Sequence, residues 1–442
     1  MTRRGSATRR GAEGSWSLRR SGARRSGLQP ERWDIGVSKR RTIAIVTVLS
    51  LGCGSGESSL RTTGVAGVPS AASVGANLLF GDATLDGYSG RRLLVDTGSP
   101  FTLVNPALFP GVALPVQTDV TVDVGVGSLV IEGVPALQLF DGGTDVLQLG
   151  GVLGANVLRQ FSTQLNYRDQ LLCLGDGVAP ANIEQPGATF PFVLEGGGVA
   201  STSATTTSSY AATRIPVTAT VEGVDHQFIL DSGASEVAVR STLFVQLTAD
   251  GRPFLDGFPV YTAGGATSGE ASRMRIVSVG GEAVTNVPFL NIGDMLLDQL
   301  GTEIGHPVDG LLGGSFLREF LVTVDYPRST VHLQRYANRD HIMDEFKRVG
   351  IALGPGIGTH RFNVATVYAG SDAAQKGLSL GDEVVTVDGQ SLDALDEISA
   401  DQLLCGTVGT VRQLGFGQTL IRSLTNSEVG VLVDDLIPIP SS

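Results

Sequence analysis

Two aspartates, Asp96 and Asp231, lie where a short apolar segment meets a turn of small residues. Residues 93–95 read LLV before the first aspartate, and residues 228–230 read FIL before the second. Each aspartate is followed by a hydroxyl residue, a glycine and another small residue. These turn residues are Thr97, Gly98, Ser99, Ser232, Gly233 and Ala234. The pattern predicts two carboxylates held at tight turns on buried strands, because glycine permits close approach of another chain.

Two such turns that met about a pseudo-twofold axis would place Asp96 beside Asp231. Like charges at that separation cannot both ionise easily, so the two groups share a proton. One can then activate a water as a base while the other protonates a substrate carbonyl, which suffices for amide hydrolysis. We expect the hydroxyls of Thr97 and Ser232 to tie each turn to the opposite copy. A hydrogen bond from the Ser99 hydroxyl would favour the charged form of the pair.

A repeat surrounds these aspartates. Residues 91–109 align without gaps with residues 226–244, and residues 150–174 match residues 309–333. Two ordered matches at similar separations indicate a duplicated domain. The stretch from Asp231 to Gly313 in the second copy is longer than the matching stretch from Asp96 to Gly154 in the first, which predicts an insertion in the second copy.

The segments LVDTGS and ILDSGA resemble the active-site turns of retropepsin and pepsin-like aspartic peptidases, and VLG and LLG resemble the later apolar-apolar-Gly element. The resemblance covers roughly residues 75–335. It implies a mainly β fold with two retropepsin-like β-barrel lobes in a pseudo-twofold arrangement. It also implies an endopeptidase that uses a water between Asp96 and Asp231, with no cofactor. No tyrosine lies between Asp96 and Gly154, so the chain resembles two fused retropepsin units more than a pepsin.

The family's flap is a hairpin that closes over the substrate. Residues 260–279 fit such a hairpin, with Gly264, Gly265 and Gly269 near its tip. In the first copy, the segment around Gly125 and Gly127 is the equivalent candidate. These glycines fit ordinary turns equally well.

Residues 345–436 resemble a PDZ domain, on the motifs at 369–374, 377–382 and 387–389. PDZ domains bind an extended peptide as an added strand. The candidate peptide-binding residues are Gly350, Ile351, Ala352 and Leu353, and residues near 400–404 are the candidate groove helix. Alternatively, this unit only packs against the peptidase.

Residues 39–53 have a positive start, a short apolar run and a terminal Leu-Gly-Cys. The run is too short to span a bilayer but suits a signal peptide. The ending resembles a bacterial lipoprotein processing site, which implies lipidation at Cys53 and export to the cell envelope. An ordinary cleaved signal or a short buried strand is the alternative. The predicted segments are a start and signal (1–52), a tether (53–74), a first lobe (75–180), a linker (181–213), a second lobe (214–336) and a PDZ-like unit (345–436).

Charge and cysteine content exclude several classes of protein. Residues 1–41 hold 12 of the 32 basic and 3 of the 44 acidic residues, so the remaining chain carries a formal charge of −21. Such a surface does not favour nucleic acid. Three widely spaced cysteines predict neither a disulfide framework nor a zinc cluster. We therefore expect a peptide or protein substrate, no metal, and a monomer. A binding protein without catalysis and a homodimer remain alternatives.

Overall fold

The structure is a computed structural model. It describes residues 48–49, 60–89, 92–105, 119–138, 149–175, 187–201, 207–262, 265–338, 343–355, 361–417 and 427–438. Cys53 and Gly264 lie outside these residues. In the described part of the chain, strands predominate and the six helices are short. The mainly β prediction is confirmed.

The first repeat and its approach contain thirteen strands and one helical turn. They are β1 (Val48–Leu49), β2 (Arg61–Thr63), β3 (Ser70–Gly75), β4 (Leu78–Gly81), β5 (Ala83–Leu85), β6 (Tyr88–Ser89), β7 (Leu93–Val95), β8 (Thr102–Val104), β9 (Asp119–Val126), β10 (Leu129–Gln138), β11 (Gly151–Leu153), α1 (Ala155–Leu158), β12 (Ser162–Asn166) and β13 (Leu171–Leu174).

The next segment and the second repeat follow. They comprise β14 (Ala188–Pro191), β15 (Gly198–Ser201), β16 (Thr207–Tyr210), β17 (Pro216–Val221), β18 (Val224–Leu230), β19 (Val237–Val239), α2 (Ser241–Thr248), β20 (Leu255–Thr262), β21 (Gly265–Val279), β22 (Glu282–Asn291), α3 (Met295–Ile304), β23 (Gly310–Leu312), α4 (Gly314–Leu317), β24 (Phe320–Asp325) and β25 (Thr330–Arg335).

The C-terminal unit, residues 345–436, forms a separate sheet. Its elements are β26 (Lys347–Val349), β27 (Ile351–Pro355), β28 (Phe362–Val367), α5 (Asp372–Gln375), β29 (Glu383–Val387), β30 (Gln390–Ser391), α6 (Glu397–Gln402), β31 (Val411–Phe416) and β32 (Glu428–Asp435).

Residue patterns explain why these segments are strands. In β9, valine alternates with polar or glycine residues, so Val120, Val122, Val124 and Val126 all point into the core. In β12, all five residues are buried although four are polar, and hydrogen bonds of Thr163 to the Leu158 carbonyl and of Gln164 to Thr323 satisfy two of these side chains.

The two repeats share one hydrogen-bonded sheet. Strand β12 of the first repeat pairs antiparallel with β24 of the second, and Leu165 lies opposite Val322. Strands β14 and β25 continue this sheet on one side, and β13 and β3 continue it on the other. Both repeats contribute side chains to the same hydrophobic core.

The strands that lead to the aspartates have the same topology in both repeats. Strand β7 is parallel to β11, with Val95 beside Leu153, and β18 is parallel to β23, with Leu230 beside Leu312. Strands β8 and β19 pair antiparallel with the other edge of β11 and β23, respectively. The sequence repeat therefore corresponds to a structural repeat around each aspartate.

The glycine that ends each apolar-apolar-Gly element permits this close packing. A side chain at Gly154 would overlap the carbonyl of Phe101, and one at Gly313 would overlap the carbonyl of Glu236. Both carbonyls belong to the segments that follow the aspartates. Glycine is thus required for the later strand to lie directly behind the turn.

The segment between the repeats is more ordered than a simple linker. Strand β14 pairs with β25, and β15 pairs with β16. The ring of Tyr210 at the end of β16 is buried against Phe101, with ring centroids 4.9 Å apart. Within the predicted linker (181–213), Tyr210 therefore supplies an apolar anchor that fixes its final part to the first repeat.

The C-terminal unit has its own apolar core, formed by residues of β26–β29, β31 and β32 together with the two helices. Side-chain caps begin both helices: Ser371 accepts from the Ala374 amide at 3.2 Å, and Asp396 accepts from the Ser399 amide at 2.9 Å. No helix among the described residues is long and apolar enough to cross a membrane.

Candidate active site

Asp96 and Asp231 end the buried strands β7 and β18, and backbone amides of their own turns bind their carboxylates. Asp96 Oδ1 accepts from the amides of Gly98 at 2.8 Å and Ser99 at 2.9 Å. Asp231 Oδ1 accepts from the Gly233 amide at 2.9 Å. The amides fix the orientation of both carboxyl groups.

Hydroxyl groups connect each turn to the other repeat. Thr97 Oγ1 donates to the Leu230 carbonyl at 3.1 Å and accepts from the Ser232 amide at 3.0 Å. Ser232 Oγ donates to the Val95 carbonyl at 2.7 Å and accepts from the Thr97 amide at 3.0 Å. The reciprocal hydrogen bonds expected from the sequence are present, and all four are buried.

The glycines of the two turns bring the carboxylates together. A methyl group added to Gly98 would lie 2.5 Å from Asp231 Oδ1, and one added to Gly233 would lie 2.5 Å from Asp96 Oδ1. Each glycine therefore lies against the carboxylate of the opposite repeat, where any side chain would collide with it.

Burial raises the pKa of Asp96 well above its usual range, and the neighbouring Asp231 carboxylate raises it further. Burial also raises the pKa of Asp231, although a hydrogen bond from Asp96 and the amide of Gly233 oppose this effect. A hydrogen bond between the two carboxyl groups contributes to both shifts, because it raises the pKa of Asp96 and lowers that of Asp231. Both shifts have the cause expected of a buried pair that shares one proton.

The expectation for the Ser99 hydroxyl was wrong. Ser99 Oγ donates to the Phe101 carbonyl at 2.8 Å, while the Ser99 backbone amide binds Asp96. Two backbone amides of the turn already bind Asp96, and the Ser99 hydroxyl instead forms a hydrogen bond within the loop that follows the turn. The different residue at this position in the second repeat, Ala234, therefore removes no side-chain contact with the carboxylates.

Sequence reasoning missed Arg214, which is 8% exposed and lies near the pair. Its guanidinium donates through Nη1 to the Gly98 carbonyl and through Nε and Nη2 to Glu303, each at 3.0 Å. The sequence signal that could have identified Arg214 is its position as a single charged residue just before the apolar strand β17. Glu303 comes from the last turn of α3, within the longer insertion of the second repeat.

A second buried polar cluster lies behind the Asp231 turn. Asn77 Nδ2 donates to Glu236 at 3.1 Å and to Glu345 at 2.6 Å, and Arg318 lies 3.7 Å from Glu345. Burial raises the pKa of Glu236 well above its usual range, and Glu345 raises it further. This cluster joins the first repeat, the second repeat and the C-terminal unit. No local sequence pattern indicates this cluster, since its members are far apart along the chain.

The second-repeat hairpin exists as β20 and β21, with Thr262 opposite Gly265 at its described end. Gly269 lies further down the hairpin, opposite Phe258. The first-repeat candidate is the hairpin of β9 and β10, whose turn contains Gly127 at φ 58°. Both segments form hairpins, and their role as flaps stays a prediction.

The candidate peptide-binding residues of the C-terminal unit lie in or just before β27. Ile351 and Leu353 point into that unit's core, whereas Ala352 packs beside Phe258 of the hairpin. A side chain at Gly350 would collide with Ser371.

The candidate groove helix is α6. Its residue Ile398 packs with Leu78, Phe80 and Leu94 of the first repeat. Both predicted walls of the groove therefore contact the repeats.

Cys173 and Cys405 are buried free thiols. Among the described residues, no group of three or more His, Cys, Asp or Glu side chains could hold a metal ion.

Comparisons with known proteins give one family match. Residues 217–316, which include Asp231, match the family model described as aspartyl protease. A solved aspartic proteinase from Irpex lacteus is 15% identical, with 61% of this chain and 97% of that chain covered, at a TM-score of 0.37. No curated protein sequence matches the chain. The segment that carries Asp231 is therefore similar to the aspartyl protease family.

Proposed function

We propose that the chain is an aspartic endopeptidase whose catalytic groups are Asp96 and Asp231. The observation that supports this best is the buried carboxyl pair, oriented by turn amides and joined by reciprocal Thr97 and Ser232 hydrogen bonds. The match of residues 217–316 to the aspartyl protease family is consistent with it.

The proposed reaction needs one proton on the pair. The ionised carboxylate removes a proton from a water molecule, and the resulting hydroxide forms a bond to the carbonyl carbon of the peptide. The protonated carboxyl group gives its proton to the carbonyl oxygen. Collapse of the tetrahedral intermediate breaks the C–N bond as one carboxyl group gives its proton to the amine nitrogen. The other carboxylate takes the proton of one hydroxyl of the intermediate, so a carboxylic acid is released and the pair again holds one proton. Turn amides and cross-bonds keep the carboxyl groups in place throughout.

Cleavage of a peptide library tests this proposal. Asp96→Asn and Asp231→Asn should each abolish cleavage, because neither carboxyl group alone supplies both a base and an acid. Asp225→Asn, an exposed change in β18, the strand that precedes Asp231, is the matched control and should retain activity. Full activity in either single active-site variant would contradict the shared pair.

The same assay addresses the alternatives. Tight peptide binding without hydrolysis across roughly pH 3–8, where such pairs titrate, would indicate a binding protein of the same fold. Activity per molecule that falls on dilution would indicate a homodimer in place of the proposed monomer.

We also propose that the protein is exported and tethered to the membrane through a lipid on Cys53, which rests on the sequence alone. Fatty-acid labelling of the wild type should be lost in Cys53→Ser, and the variant should move to the soluble fraction. A labelled Cys53→Ser protein would rule out this attachment site.

The C-terminal unit is proposed to act on the β20–β21 hairpin by packing against it. Phe258 is 2% exposed, and its ring lies 4.9 Å from that of Phe346, centroid to centroid. Arg273 of β21 bonds to Asp344 at 2.7 Å and to the Ile437 carbonyl at 2.9 Å. These contacts hold the base of the hairpin, so substrate or partner binding by this unit would be coupled to hairpin position.

A further inference from the structure

Arg214 is a buried cation whose contacts lead to the proposed catalytic pair. We propose that Arg214 is a positioning residue, which orients Asp96 through the Gly98 carbonyl and compensates the charge of the pair. The inference rests on the proposed function, because it concerns how the same two carboxyl groups are set for the reaction.

A continuous hydrogen-bond chain joins Arg214 to Asp96. The guanidinium donates to the Gly98 carbonyl. That carbonyl belongs to the same peptide group as the Ser99 amide, which donates to Asp96 Oδ1 at 2.9 Å. Donation to one end of a peptide group strengthens donation from the other end. Arg214 therefore makes the Ser99 amide a better donor and holds the peptide plane in the orientation that Asp96 needs.

This arrangement is present on one side of the pair only. Phe80 pairs with Leu94, two residues before Asp96, and Pro216 pairs with Ile229, two residues before Asp231, so Leu78 occupies the position of Arg214. Leu78 is 1% exposed in an apolar cluster, and its side chain can donate no hydrogen bond. The two halves thus differ in a charge at equivalent positions, so the environment of the pair is asymmetric.

Glu303 fixes Arg214 in this position. Both oxygens of Glu303 accept from the guanidinium at 3.0 Å, and the two side chains are 9% and 3% exposed. A buried ion pair is an expensive way to gain stability, and hydrophobic replacements of similar volume are often no worse. Stability alone therefore does not explain why the Arg214–Glu303 ion pair lies against the active-site turn. An electrostatic effect of Arg214 on the two carboxyl groups does explain it.

Other ionisable groups surround this network. Burial, and then the Glu303 carboxylate, raise the pKa of Tyr210 to about 12, so this hydroxyl stays neutral. Burial likewise raises the pKa of Tyr326, with a smaller contribution from Asp96, and the pKa of Tyr167, to which Asp231 contributes. The Arg159 guanidinium opposes the rise in the pKa of Tyr326, and His306 Nε2 lies 2.6 Å from a carboxylate oxygen of Glu195. Of the two arginines, only Arg214 lowers the pKa of both aspartates.

The sign of the effect follows from charge. A cation near the pair favours its ionised form, so removing Arg214 should raise the pH at which the pair loses each proton. A close opposite charge lowers a carboxyl pKa by about 1–3 units. Because Glu303 offsets part of this charge, we expect the lower end, about one pH unit. Removing the charge of Glu303 should produce a shift in the opposite direction.

The experiment compares Arg214→Met, Arg214→Lys and Glu303→Gln with the wild type. Arg240→Met is the matched control, since Arg240 also bonds to a backbone carbonyl, that of Val308 at 2.6 Å, but to neither aspartate turn. The first measurement is the pH profile of kcat/KM on a cleaved peptide. The second is the pH titration of carboxyl carbon signals in ¹³C-aspartate-labelled protein, assigned with Asp96→Asn and Asp231→Asn.

We expect Arg214→Met to move both limbs of the profile to higher pH and Glu303→Gln to move them to lower pH. In Arg214→Lys, the limbs of the pH profile should lie near those of the wild type, and kcat should be lower. Arg240→Met should change neither the limbs nor kcat. Opposite shifts distinguish this role from a structural one, which would reduce activity without moving the limbs.

Unshifted limbs in Arg214→Met, or shifts of the same sign in Arg214→Met and Glu303→Gln, would overturn the proposal. If Arg214→Met does not fold, the direction of the Glu303→Gln shift decides. Absence of cleavage by the wild type, with carboxyl signals that still shift as expected, would reject the peptidase function but leave the electrostatic role of Arg214 in place.

Discussion

Replacement of Gly98 or Gly233 by alanine tests the packing of the two turns most directly. The nearest atom to an added methyl group would be the carboxyl carbon of the opposite aspartate, at 2.4 Å for Gly98 and 2.3 Å for Gly233. Non-bonded carbon atoms normally lie at least about 3.5 Å apart. The carboxylate must therefore move by about 1 Å, and a misplacement of this order costs about 10²-fold in rate. This corresponds to about 2.7 kcal/mol of transition-state stabilisation.

Steady-state kinetics on a cleaved peptide is the assay. We expect kcat/KM to fall about 100-fold in Gly98→Ala and in Gly233→Ala, since the two contacts are equivalent. Gly281→Ala is the control: Gly281 has φ 98° with no atom within 4 Å of an added methyl group, so it suffers backbone strain without a collision. Wild-type kcat/KM in either turn variant would refute the inferred contact between glycine and carboxylate. An equal loss of kcat/KM in Gly281→Ala would show that the loss in the turn variants comes from reduced stability and not from a collision with the carboxylate.

Three further predictions concern stability. Thr97→Val and Ser232→Ala should each lower the free energy of unfolding by roughly 1–3 kcal/mol per buried partner left without a hydrogen bond, measured by chemical denaturation. Phe258→Ala should cost about 3–5 kcal/mol in the same measurement, because it empties the contact between the hairpin and the C-terminal unit. Stability should decline as pH rises through the raised pKa of Glu236, because the folded state binds its proton more tightly. Glu345→Gln should weaken this dependence in pH-dependent thermal melts.

Each of these has a matched control. Thr220→Val removes an exposed hydrogen bond to Asp225 and should cost little. Phe254→Ala removes a ring that is 51% exposed. Glu428→Gln neutralises an exposed carboxylate and should leave the pH dependence unchanged. If a control variant changes the free energy of unfolding, or its pH dependence, as much as the matching test variant does, the physical reason given for that test variant is wrong.

The sequence contained enough information to identify the two aspartate turns and their cross-bonds. Asp96 and Asp231 lie in a repeat, so equivalent positions in two similar segments could be expected to meet. The positions of Thr97 and Ser232 next to the aspartates left few other partners for their hydroxyls. The direction of the Ser99 hydroxyl was not predictable, because the turn offered it both a carboxylate and a carbonyl.

Arg214 and Glu303 could not be paired from the sequence for a different reason. An apolar residue occupies the position of Arg214 in the first repeat, and Glu303 lies in the insertion of the second. Their contact depends on how the segment before β17 and the end of α3 converge. The same applies to Asn77 and Glu345, which meet only because the C-terminal unit packs against both repeats. Side-chain contacts that arise from the packing of distant segments carry no local pattern.

The pairing of β12 with β24 also determines what happens if the halves are made separately. Each fragment would end in a sheet whose outer strand, β12 or β24, presents free amide and carbonyl groups along an edge that is buried in the whole protein. Such an edge binds other strands, so the isolated fragments should self-associate or aggregate. When mixed, the two fragments should complement each other and form one non-covalent complex.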